Sequence, residues 1–227
     1  MRLKMLLLLA MGIALGTAVG AVHAGVTIEI NNNWPIKGSG QIRSETRALA
    51  DFDSIELEDS SDLQIMIGDR FAVTVTADDN LLPLIGTEVR GHRLSIGPKG
   101  SYRTRHSPKI AIQLPRLQAL QISGSGDVDI SGLNGGALKL AIDGSGDIKA
   151  RGAVDQLTLS IQGSGDINAD AVTADRVDVE IDGSGDATVF AAKALNAVIN
   201  GSGDITYRSS GAVVQQTVHG SGEVHKR

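Results

Sequence analysis

Gly144-Ser145-Gly146-Asp147, Gly163-Ser164-Gly165-Asp166 and Gly183-Ser184-Gly185-Asp186 are three consecutive copies of one tetrad. The same letters stand at Gly124–Asp127 and Gly201–Asp204, and Gly220-Ser221-Gly222-Glu223 differs only in its last residue. Successive copies begin 20, 19, 20, 18 and 19 residues apart. A period in this range marks a solenoid in which one repeat is one coil, unable to bury its apolar face except against its neighbours.

Working outward from each tetrad, the approach alternates: Leu138, Leu140 and Ile142, then Leu157, Leu159 and Ile161, then Val177, Val179 and Ile181. A shorter alternation follows, as in Ile148 and Ala150, or Ile167 and Ala169. Period two places alternate side chains on one face of a β-strand. Each unit therefore reads as strand, tight corner, short strand and second corner, the last marked by Gly132, Gly135, Gly136, Gly152 and Gly211. All five prolines precede the first tetrad, so no backbone donor is missing from the stack. Glycine in regular structure costs roughly 0.5–1 kcal/mol against alanine, so paired glycines at every corner imply left-handed dihedrals or close backbone approach there. The expected fold is all-β: a parallel β-helix solenoid with rungs of about 19 residues, strands about 4.8 Å apart, and a less regular N-terminal β portion.

That portion holds short strand-like runs at residues 55–57, 63–65, 72–75, 93–96 and 109–114. Asp59-Ser60-Ser61-Asp62 reads as a degenerate tetrad at which coiling begins. Asp78-Asp79-Asn80 before Leu81-Leu82 reads as the cap and start of one short helix ending near Gly86. Residues 97–108 are a loop by composition, and residues 25–45, with Asn31-Asn32-Asn33 and Gly38-Ser39-Gly40, a polar, loosely held lead-in. A single β-helix domain is expected over 46–227, with regular rungs from about 117.

Arg2 and Lys4 precede an apolar run to Val22, and Val22-His23-Ala24 supplies the small residues that a signal peptidase reads, so residues 1–24 are expected to be a cleaved signal and the protein exported, periplasmic or extracellular. No transmembrane segment is expected after cleavage. The chain has no cysteine, which excludes disulfides and thiolate metal sites. Removing the signal leaves 19 basic against 26 acidic residues, a net charge of −7, and makes nucleic acid an unsuitable partner. The charge is uneven: residues 25–120 hold 11 basic and 12 acidic groups, and residues 121–227 hold 8 and 14.

Gly38-Ser39-Gly40 with Arg47 and Phe52-Asp53-Ser54-Ile55, the segment from Val73 to Ile96, and the Gly-Ser-Gly-Asp rungs together resemble the auto-transporter adhesin head GIN domain family of bacterial exported proteins, over roughly residues 40–225. The resemblance implies a parallel β-helix, an exported or envelope location and an adhesin-like role. It brings no catalytic residues.

Two clusters are candidates for contact chemistry. Asp127, Asp147, Asp166, Asp186, Asp204 and Glu223 should form a ladder, either accepting hydrogen bonds from their own glycine corners or lining a cation-binding edge. The calcium-binding β-roll has a nine-residue repeat, which a 19-residue period does not match, so no metal site is assigned. The stretch from Arg90 to Lys109 carries Arg90, Arg93, Lys99, Arg103, Arg105 and Lys109 with no acid, and Lys99, Arg103 and Arg105 are its candidate contacts for an anionic partner. His92, His106, His219 and His225 show no metal-ligand spacing and the serines no nucleophile-elbow pattern, so no catalytic residue and no cofactor are expected. Aromatic content is 3%, too little for a sugar-stacking face.

These features describe an exported, non-enzymatic binding or structural module of the envelope or cell surface. Its partner would be an anionic envelope glycan, a lipid headgroup or another protein. The alternatives are a polysaccharide-active β-helix enzyme and a cation-stabilised scaffold. Mass spectrometry of the exported protein should give a chain beginning at Gly25; a species retaining Met5 to Val22 would instead show a membrane anchor.

Overall fold

The computed structural model describes residues 17–23, 26–31 and 35–227. Thr17–His23 and Val26–Asn31 form an antiparallel pair, a sheet of their own, while residues 1–16 and 24–25 of the expected signal and its cleavage point lie outside the described residues. From Ser54 onward the chain builds a parallel β-solenoid, apart from the antiparallel strands Ala72–Asp78 and Ile85–Arg90. One side stacks Ser54–Leu57, Ala119–Ile122, Ala137–Gly144 and the later halves of Ile148–Gly163, Ile167–Gly183 and Ala187–Gly201, ending with Val213–Gly220.

Residues in register form continuous columns, and the columns are the core. Ile96, Leu57, Ile122, Ile142, Ile161, Ile181 and Ile199 stand one above another, and each is buried. On the return side of the corner, Ile110, Leu63, Val128, Ile148, Ile167, Ala187 and Ile205 do the same. A fully buried isoleucine contributes roughly 1.5–3 kcal/mol, so burial along these columns is the main favourable term.

The tetrad corners stack without a change of register, whereas the second corner absorbs the variation in period. Across Ile148–Gly163, Ile167–Gly183 and Ala187–Gly201 the chain passes the second corner as a bent, continuous strand, with register shifts at Lys149/Arg151, Ala169/Thr173 and Ala174/Arg176. Bulges of this kind bend a strand while leaving the ladder on either side in place.

Two different constraints act on the tetrad glycines. Gly163 lies in the left-handed region, at φ 127°. Gly165 does not; there a Cβ would overlap the backbone oxygen of Gly146 in the rung below. The reason for glycine at Gly146 and Gly165 is thus close stacking, and not the left-handed corner dihedral that the tetrad pattern first suggests. Asp59–Asp62 is the first corner of this column, since Gly124 and Gly126 sit against the carbonyls of Asp59 and Ser61 in the same way. The rung beneath Ser61 turns its corner through the wide loop up to Pro108, which leaves Ser61 room for a side chain; it is fully buried.

At its base the stack departs from chain order. The coil under Ser54–Leu57 and Asp62–Ile67 is supplied by a later segment, Arg93–Pro98 and Lys109–Leu114, before the chain climbs back to Ala119–Ile122. Antiparallel strands close this end: Ile85–Arg90 on Arg93–Pro98, Ala72–Asp78 on Lys109–Leu114, and Ile42–Arg47 outermost. The exposed Ile42–Arg47 carries Arg43, Glu45 and Arg47, charges that discourage further pairing along an edge.

The short helix expected after Asp78 is only a 3₁₀ turn, Leu82–Leu84, with no side-chain cap. The would-be capping side chains are used elsewhere. Asp78 accepts from the Gly40 N–H, Asp79 from the Ser39 hydroxyl and Asn80 from the Ser39 N–H. Those bonds, with the pairing of Ile36–Lys37 to Tyr102–Arg103, hold the second half of the lead-in against the domain.

Gly165→Val is expected to destabilise the protein by more than about 2 kcal/mol in urea unfolding, because backbone atoms must move apart. Gly211→Ala, left-handed at φ 128° but with nothing within 4 Å, is expected to cost about 1 kcal/mol. Equal costs would mean that dihedral strain, and not stacking, sets the glycine requirement.

Candidate functional site

The tetrad carboxylates reach to the next rung. Asp127 Oδ1 accepts from the Asp147 N–H at 3.1 Å, Asp147 from Asp166 at 2.9 Å, Asp166 from Asp186 at 2.8 Å, Asp186 from Asp204 at 2.7 Å, and Asp204 from the Glu223 N–H at 2.8 Å. The same residues' carbonyls accept from the strand that leaves the corner one rung below: the Val128 N–H donates to Asp147 O and the Ile148 N–H to Asp166 O, both within 2.9 Å. The corner carries the main chain away from the carbonyl that a straight strand would offer, and the Asp side chain supplies the missing acceptor. The bond thus runs between rungs, and not within the corner as an Asx turn would place it. Glu223, the one departure from Asp, has no further rung's N–H on its carboxylate among the described residues, so the shorter side chain is not required there.

A cation needs several oxygens converging on one point, whereas this ladder spaces its carboxylates one rung, about 4.8 Å, apart. Among the described residues no three His, Asp or Glu side chains gather as a metal set.

The structure divides the basic stretch. Arg90 pairs with Glu88 at 3.0 Å and Arg93 with Glu56 at 3.1 Å. Lys99 lines a shallow groove with Glu58 and Asp59, and Lys109 one with Asp62, Asp127 and Asp129, so both look onto acids. Arg103 and Arg105 face a different groove of about 510 Å³, shared with Lys37, His106 and one carboxylate, Asp78. The structure therefore keeps Arg103 and Arg105 together, separates Lys99 from them and adds Lys37.

Parallel pairing builds this arrangement. Arg103 is the register partner of Lys37, which puts two cations side by side on one face of the ribbon; their neighbours Tyr102 and Ile36 take the other. On that other side the Tyr102 hydroxyl donates to Asp59 Oδ2 at 3.4 Å, and burial, with the Asp59 charge second, pushes the phenol up to about 12. Among the described residues, Lys37, Arg103 and Arg105 make no ion pair within 4.0 Å.

Asp78, 2% exposed, fastens the groove's floor. Its carboxylate accepts from the Thr104 hydroxyl at 2.6 Å and from the Gly40 N–H at 2.5 Å. The Thr104 bond, against the opposing effect of burial and with help from Gly40 and His106, holds the Asp78 carboxyl below its ordinary range. A lowered folded value means that ionised Asp78 stabilises the fold above the ordinary carboxylate range; the contribution disappears as pH falls through the lowered value.

The sequence profile described as "Putative auto-transporter adhesin, head GIN domain" matches residues 51–211. No relative among the curated proteins matches the sequence. Of the solved structures, a protein from Bacteroides fragilis described as a "putative adhesin" is 24% identical with a TM-score of 0.70, covering 85% of this chain and 100% of its own, and shows the shared fold. A protein from Parabacteroides distasonis described as a "putative lipid binding protein" is 27% identical with a TM-score of 0.58, over 86% of this chain and 100% of its own. A second P. distasonis protein, described as a "putative adhesin", is 26% identical with a TM-score of 0.55, over 85% of this chain and 99% of its own.

Calcium at millimolar concentration is expected to move the melting temperature by no more than about 2 °C, because a site at a hundredfold excess over its dissociation constant would add about 2.7 kcal/mol and shift it further. A large calcium-dependent rise would make the Asp ladder a cation edge. With the tetrads stacked into a parallel solenoid and the profile spanning residues 51–211, the chain belongs to the auto-transporter adhesin head GIN domain family.

Proposed function

We propose that this protein is an exported, non-enzymatic binding module of the cell envelope or surface, adhesin-like in role, whose solenoid presents a contact site at its base to an anionic partner. The carrying observation is the pair of adjacent cations, Lys37 and Arg103, joined by Arg105 in a groove that holds one carboxylate, itself engaged by Thr104 and Gly40. The exported chain as a whole carries −7, so this is a concentrated attraction for phosphates or carboxylates on an otherwise acidic protein. An anionic glycan and a lipid headgroup both meet that description, and the lipid-binding description of the P. distasonis relative agrees with the second. A non-enzymatic role agrees with the use of the tetrad carboxylates as acceptors for the next rung's backbone.

The test is simultaneous replacement of Lys99, Arg103 and Arg105 by Glu, with binding to envelope preparations measured at low and physiological salt. Wild type should bind and weaken as salt rises, and the variant should lose most of its binding at both. Binding unchanged by the replacement would move the contact to the flat faces of the solenoid.

A further inference from the structure

We propose that the groove between Lys37–Gly40 and Arg103–His106 seats the phosphate of an anionic lipid headgroup, docking the base of the solenoid on a membrane surface. This rests on the reading that the loop contacts an anionic partner and names that partner's chemistry.

Three observations select a headgroup. The first is how the groove is charged. Lys37, Arg103 and Arg105 line it with one carboxylate, Asp78, a second, Asp79, accepting from the Ser39 hydroxyl at its side, and all three cations are exposed. The backbone donors beside them are already used: the Gly38 N–H by Arg103 O, the Ser39 N–H by Asn80, the Gly40 N–H by Asp78. An anion is therefore held by side-chain charge and not by a backbone cradle, which suits a phosphodiester whose outer substituents vary.

The second observation is apolar. Ile36 and Ile42 are 46% and 47% exposed, and with Met66, Val213 and Val218 they are the exposed large hydrophobic side chains among the described residues. Ile42 is the register partner of Asp78 and so shares the face of the groove's floor, while Ile36 projects from the opposite face of the two-stranded ribbon. Cations beside an exposed isoleucine fit the headgroup–acyl boundary, where phosphate and hydrocarbon lie within one side chain's reach. A water-soluble polyanion would make no use of Ile42. The groove lining contains no Phe, Tyr or Trp on which a sugar ring would stack.

The third is the charge of the whole molecule. The basic groove is at the base, whereas residues 121–227, which form the far rungs, carry 8 basic and 14 acidic groups. An anionic surface attracts one end and repels the other, so the solenoid docks base down.

The experiment uses the exported protein as recovered, with vesicles of phosphatidylcholine alone or with phosphatidylglycerol, read by co-sedimentation at physiological salt. Wild type and variants share the same N-terminus, so their difference reports on the groove. Wild type should bind the anionic vesicles and not the zwitterionic ones. Lys37→Glu with Arg103→Glu should cut binding at least about tenfold, and Ile42→Ser, which changes no charge, about threefold or more. Unchanged melting temperatures establish that these exposed replacements fold. Binding that survives the double reversal, or equal binding to both vesicles, overturns the proposal. Calorimetric binding of inorganic phosphate without vesicle binding also overturns it and makes the groove a small-anion site. Should the Lys99, Arg103 and Arg105 replacements abolish envelope binding while neither vesicle is bound, the partner is a glycan or a protein: lipid docking fails and the broader reading stands. If envelope binding survives those replacements, the broader reading fails with it.

Discussion

The contact on which the solenoid depends is that between the second glycine of each tetrad and the carbonyl of its counterpart one rung below. At Gly165 a side chain would overlap the Gly146 oxygen, and the space it would fill is also bounded by the Ile142 γ2 methyl; Gly185 with Ile161, Gly203 with Ile181 and Gly222 with Ile199 repeat the arrangement. The absent side chain thus admits the neighbouring backbone and a core methyl together. Corner register and core register become the same quantity, because a rung displaced by one residue would bring a Cβ against the backbone and turn its isoleucine outward. The Asp ladder acts on the outer side of the same corner, giving each rung's N–H an acceptor from the rung below.

This coupling explains which parts of the fold could be read from the sequence. The tetrad sets a local geometry that admits one stacking partner, the next tetrad, so period and alternation lead directly to a parallel β-helix. Even Asp59–Asp62, without a glycine, takes its place in the column. The base is different. Arg93–Pro98 and Lys109–Leu114 show strand alternation, but alternation identifies a buried face and not the strand beside it, and nothing in the letters places a later coil beneath an earlier one. Asp78-Asp79-Asn80 has the composition of a helix cap; the same side chains satisfy backbone donors at residues 39–40, and only the fold shows which donors lie within reach.

The candidate contact site was legible to the same degree and for the same reason. A run of cations without acids is visible at residues 90–109, and Arg103 and Arg105 remain together in the structure. Lys99 lines a separate groove with Glu58 and Asp59, and Lys37 is brought beside Arg103 by a two-residue parallel pairing across 66 positions of chain. A pairing that short leaves no periodic signal. Charge density along the sequence therefore identified the loop, and strand pairing decided which of its cations share a surface.

Repetition and recognition divide the molecule between them. Within the rungs the tetrad aspartates are used to hold the next rung, and a surface repeated every rung distinguishes no single place along its length. Distinct chemistry can arise only where the repeat is broken, and here that is the base, where the tetrad gives way to the loop before Pro108 and antiparallel strands close the stack. Because each coil contacts only its neighbours, adding or removing a rung changes the length by about 4.8 Å and leaves the base untouched. On the proposed docking the acidic far rungs would have a physical role that requires no ligand: like charge would keep them off an anionic surface, so the solenoid would stand away from what its base contacts.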